Sequence, residues 1–219
     1  MALGPRLTPA RAAGPLAGRM TTGRLEAFSD GVFAIIITVM VLELKVPVGD
    51  GPAALRPLVP ALAAYVVSFV YVGIYWDNHH HLFQAADRVT GGVLWANLHL
   101  LFWLSLVPLV TEWVGQHHAA PWPAAAYGVV LLLSAVAYWV LQGVLVAACG
   151  GRDSTLGRAI GSDLKGRVSV LANVAAVALA FVRPWLADAV YVAVALAWLV
   201  PDRRISRQLA GSGAGHGDR

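Results

Sequence analysis

The chain has 219 residues, of which 58% are hydrophobic and only 13% charged, against about 25% charged in a soluble domain. That composition excludes a water-soluble fold and points to a single all-α integral membrane domain. The net charge of +4 does not imply nucleic acid, because the Arg residues are spread over short segments that flank apolar blocks instead of forming one stripe.

In chain order, residues 1–21 hold Arg6, Arg11 and Arg19 among Pro, Ala and Gly, with no continuous apolar run. They read as a disordered cytoplasmic arm and not as a cleaved signal. The membrane domain is expected over residues 22–201, with spans at 24–46, 54–76, 89–110, 124–149, 166–182 and 185–200, since crossing the hydrocarbon core takes roughly 20 helical residues. Pro47, Gly49, Asp50 and Gly51 close the first span. The last two spans form one apolar block broken at Arg183-Pro184, where Pro disfavours helix for the residue before it; one long tilted helix is the alternative. Residues 202–219 read as a disordered cytoplasmic tail. The single cysteine, Cys149, permits no intrachain disulfide.

Lys and Arg decide between five and six spans, because cytoplasmic loops are enriched in them. With six spans and both termini in the cytoplasm, only Lys45, Arg56 and Arg183 of the 16 basic residues fall on the outer side. A five-span topology would expose the Arg-rich tail outside. The expected location is the cell membrane, as a multi-pass protein.

Asp30 lies within the first span, about 9 Å from Arg24 along the axis. A charge at the bilayer centre costs about 2.5–3.5 kcal/mol, so Asp30 should face protein or water and have a partner. The second span ends, and the third begins, on the side where the first begins. That topology gathers a polar cluster of Arg24, Ser29, Asp30, Trp76, His79 or His80, and Asn97, in which donors are expected to surround the carboxylate. The His79, His80, His81 run offers no Cys or Glu at metal-ligand spacing. No catalytic motif is present. The chain is therefore expected to be no enzyme and to hold no cofactor or resident metal. A potassium filter of the Thr-Val-Gly-Tyr-Gly type is absent as well.

Gly31, Ile35, Thr38 and Leu42 recur three or four apart and share a helical face opposite the bulkier Phe33 and Met40. Periodicity alone allows this stripe to face a pore, lipid or another helix.

The spacing Arg24-x-x-x-Phe28-Ser29-Asp30 resembles the signature of the transmembrane protein 175 family of potassium channels, in its prokaryotic six-helix form. Ser68-Phe69, Trp76, Asn78-His79-His80, Phe83, Asn97 and Pro108 are similar to further family positions. The resemblance covers roughly the first half of the chain. It implies a homotetramer around one pore lined by the first helix and a conductor of potassium ions with modest selectivity. It also implies a constriction at Ile35, with Thr38 helping to discriminate potassium from sodium and Leu42 adding a second apolar ring, while Arg24, Phe28, Ser29, Asp30, Trp76, Asn78, His79, His80 and Asn97 hold the helix in register. The rival readings are a proton-linked secondary transporter loading Asp30 and the His79/His80 cluster, mildly disfavoured because the two halves show no self-similarity, and a structural membrane subunit.

Overall fold

The computed structural model describes residues 21–160 and 164–199. Apart from residue 21, the expected arm at 1–21 lies outside the described residues, as does the expected tail at 202–219. The described residues form helices and no strand: α1 (Thr22–Leu42), α2 (Val59–Gln84), α3 (Gly91–Ser105), α4 (Val107–Gln116), α5 (Pro121–Ala148), the short α6 (Thr155–Ile160), α7 (Leu164–Ala180) and α8 (Pro184–Leu199), with a 3-10 helix over Pro52–Leu58 leading into α2.

The helix ends follow local chemistry. Thr90 caps α3 by accepting the Val93 amide at 3.4 Å. Pro121 and Pro184 open α5 and α8, where a missing N–H is no loss. Gly150 and Gly151 take φ of +105° and +86° and stop α5, a conformation nearly free of cost only for glycine. Between α3 and α4 the rod tightens to an i→i−3 bond, Leu106 N to Trp103 O at 3.2 Å. Pro108 sits in the first turn of α4 and brings no N–H to continue the ladder.

Two helices are longer than the hydropathy pattern suggests. α2 runs through Asp77, Asn78 and the three histidines to Gln84, and the α3–α4 rod extends past Val110 to Gln116. Polar residues continue a helix where their side chains find partners across the bundle. Four rods, Thr22–Leu42, Pro52–Gln84, Gly91–Gln116 and Pro121–Ala148, are long and apolar enough to cross a membrane unaided. α7 and α8, of 17 and 16 residues, pack on each other across the turn at residues 181–183.

α5 is central, against α3, α4, α7 and α8, while α2 binds α1, α4 and α8. Tyrosines tie these layers together. Tyr71 donates to the Tyr191 carbonyl at 2.7 Å, and Tyr191 donates to the Ala124 carbonyl at 3.0 Å. The Tyr191 ring crosses Gly128 so closely that a Cβ there would collide with its phenol. Ser68, Thr111 and Tyr127 share hydroxyl bonds of 2.7 and 3.0 Å that pin α2 to α4 and α5. α1 packs against α2, α3 and α4.

Candidate conduction path and its polar anchor

α1 is apolar on nearly every side but is covered on only one. Leu25, Ser29, Phe33, Ile36 and Met40 point into the bundle and are all buried. On the opposite face, Gly31, Ala34, Ile35, Thr38, Val41 and Leu42 are exposed, Ile35 by 62% and Leu42 by 79%. Within that face, the Thr38 hydroxyl donates to the Ile35 carbonyl at 2.9 Å. Its proton is thereby engaged, which leaves the oxygen lone pairs as acceptors.

The buried face is anchored by a directional chain of hydrogen bonds. The Ser29 hydroxyl donates to the Leu25 carbonyl at 2.9 Å and accepts from Asn97 Nδ2 at 2.9 Å. Asn97 Oδ1 is thus the acceptor for His79 Nε2 at 2.8 Å. Because the amide oxygen has no proton to give, the imidazole carries its proton on Nε2. Among the described residues His79 Nδ1 is buried without a hydrogen-bond partner, and the ring is held between Phe83 and Phe33, with centroids 4.5 and 5.6 Å away. Ser29, His79 and Asn97 are all fully buried.

A second, wetter layer faces α2. Trp76 Nε1 donates to Asp30 Oδ1 at 3.0 Å, and His80 Nδ1 meets Glu26 Oε1 at 2.6 Å. His80 stacks on Trp76 and shares its Nε2 with Gln84 at 2.8 Å. Glu26 and Asp30 lie four apart on α1 and face Trp76 and His80, four apart on α2, so the two helices meet in register.

The structure therefore brings together Ser29, Asp30, Trp76, His79, His80 and Asn97, but it does not surround Asp30 with donors. Trp76 is the one side-chain donor to Asp30 among the described residues, and the hub is Asn97. Arg24 is exposed and its side chain joins no hydrogen bond or ion pair among the described residues. Phe28 is 53% exposed. Asn78 turns away, bonding the Ile74 carbonyl at 2.7 Å, while its own carbonyl accepts from Tyr138 at 3.1 Å. Among the described residues no group of three metal-ligating side chains converges.

Sequence reasoning passed over three contributors. Glu26 and Gln84 had a readable signal in their i,i+4 spacing to Asp30 and His80. Glu43 had none, since its partner Glu112 comes from α4. Glu43 stands one residue past α1 and lines the same crevice as Glu112 of α4. Hydrogen bonding between the two carboxyl side chains and the charge of Glu112 hold the Glu43 carboxyl above its ordinary range, with Lys45 pulling the other way. A raised native pKa binds the proton more tightly in the folded state, so this contact is at full strength in acid and is lost as pH rises through the raised value. Glu43→Gln is expected to remove that pH dependence from the melting temperature in detergent, measured from acid to neutral pH.

A family model described as endosomal/lysosomal potassium channel TMEM175 matches residues 24–108. A potassium channel of Chryseobacterium sp. (strain P1-3) is 55% identical over 190 residues, spanning 87% of this chain and 98% of its own. The chain belongs to the TMEM175 family. A second relative, a potassium channel of Streptomyces collinus (strain DSM 40733 / Tue 365), is 42% identical over 128 residues, covering 55% of this chain and 62% of that protein. The crystal structure of a lysosomal potassium-selective channel TMEM175 homolog from Chamaesiphon minutus superposes with a TM-score of 0.68 at 30% identity, over 81% of this chain and 96% of that one. The TMEM175 match takes in both the exposed stripe of α1 and the whole polar anchor. Membership places the protein among membrane-spanning ion channels and not among enzymes.

Proposed function

We propose that this protein is a potassium-permeable channel of the cell membrane, with six spans, both termini in the cytoplasm, and four copies arranged so that their α1 helices line one pore. The observation that carries the reading is the uncovered face of α1. Ile35, Thr38 and Leu42 lie exposed along one side of a helix whose opposite side is packed into the bundle. Around a fourfold axis Ile35 and Leu42 form apolar rings that close by dewetting. Thr38 sets between them a ring of hydroxyl oxygens whose protons are already engaged, and these suit a cation shedding water. The Ser29–Asn97–His79 chain fixes the rotation of α1 so that this face meets the axis. The names of the relatives as potassium channels support the choice of ion.

Single-channel recording of the purified protein in a planar bilayer tests this. Discrete potassium conductance steps are expected, together with a detergent-corrected mass of four chains. Saturable flux without steps would instead mark a carrier, and a monomeric mass would rule out a pore lined by one helix per chain.

A further inference from the structure

A crevice of about 470 Å³ runs between α2, α5, α7 and α8, remote from α1. Its volume falls in the ~300–1,000 Å³ range of small-molecule sites. Its walls are mainly apolar and aromatic, among them Tyr75, Tyr138 and Trp139. Leu171 and Trp139 on its rim are 69% and 62% exposed, so it opens sideways, where the bilayer would lie.

Two features break the apolar lining. At the end where α7 begins, Arg167 lines the crevice and is exposed. Lys165 stands 5.0 Å over the Trp198 ring beside it, and Trp198 Nε1 donates to Ser169 at 2.8 Å. This makes a cationic, aromatic mouth of the kind found at membrane interfaces. Deeper, Asn173 also lines the crevice; it is only 3% exposed, and its side-chain oxygen has no hydrogen-bond partner among the described residues. A buried acceptor in apolar surroundings calls for a donor. Asn173 lies six residues beyond Arg167, about 9 Å along the axis, and so sits deeper than the cationic mouth.

We propose that this crevice is a binding site for a single-chain anionic phospholipid, with its phosphate at Arg167, its free glycerol hydroxyl donating to Asn173 and its one tail along the aromatic wall. A diacyl lipid has both glycerol hydroxyls esterified and brings no donor to that depth. A neutral headgroup cancels the attraction at the mouth.

The test is lysophosphatidylglycerol titrated onto the purified full-length protein, read by native mass spectrometry and by the melting temperature. Saturable one-per-chain binding with stabilisation is expected. Lysophosphatidylcholine, diacyl phosphatidylglycerol and an analogue lacking the free hydroxyl should each bind more weakly. Arg167→Gln should weaken binding about fivefold, the loss of one Arg–lipid attraction, and Asn173→Leu should abolish the preference for the hydroxylated lipid. The hydroxyl-free analogue probes the same contact on the parent protein, so the answer does not depend on the Asn173 variant folding. Equal binding of all four lipids, an unaffected Arg167→Gln, or cross-links showing a second copy of the chain seated in the crevice would each overturn the proposal. Loss of conductance in the recordings above would leave this outcome untouched, because none of these readouts uses current.

Discussion

Ile35→Asn is expected to raise potassium conductance about tenfold and to weaken closure, equivalent to lowering the barrier by about 1.4 kcal/mol. The physical reason is the dry ring that four isoleucines would make: an apolar constriction excludes water, and a hydrated ion cannot pass until water returns. An amide at the same place holds water by hydrogen bonds. Stability should hardly change, because Ile35 is 62% exposed in the single chain and contributes nothing to the intrachain core. Recording and melting together make the test two-sided. If position 35 faced lipid, the amide would enter hydrocarbon, lower stability and leave the current as it was.

Asn97→Leu is expected to be the most destabilising single change in the anchor, by about 1–3 kcal/mol, the usual cost of stranding a buried polar group. Leucine keeps the branched heavy-atom skeleton but removes both bonds of the hub. Ser29 retains its bond to the Leu25 carbonyl, whereas His79, whose Nδ1 already has no partner among the described residues, would lose its Nε2 acceptor as well. Asp30→Ala should cost less, about 0.5–1.5 kcal/mol, because it removes one bond to a Trp76 that is itself 43% exposed. Denaturation of the two variants in the same detergent checks the order. A costlier Asp30→Ala would return the carboxylate to the centre of the cluster. A rotated α1 would also appear in Asn97→Leu recordings as a changed open probability.

The contrast between these two residues shows how far the sequence reaches. Asp30 draws the eye because a charge within an apolar span is expensive, and that argument needs only one dimension. Topology then brings α1, α2 and α3 to one level, which nominates Asn97, His79 and Trp76 as neighbours. It does not say which of them touch. That depends on helix rotation and spacing, and rotation turned Ser29 toward Asn97 while leaving Asp30 at the bundle's edge. Arg24, Phe28 and Asn78 carry the family pattern equally well, yet the first two stay exposed and the third bonds its own helix.

By itself, the sequence determined that the protein is helical and embedded in a membrane, where several chain breaks fall, and which residues of α1 share a face. These are consequences of composition, of Gly and Pro geometry, and of a 3.6-residue period, all of them local. Only the tertiary structure decided that α2 stays helical to Gln84, that Asn97 is the hub, that Glu43 comes beside Glu112 of α4, and that a polar acceptor lies buried in a lateral crevice. Each of these depends on what a residue far along the chain presents across a helix contact, and that is set by crossing geometry and packing.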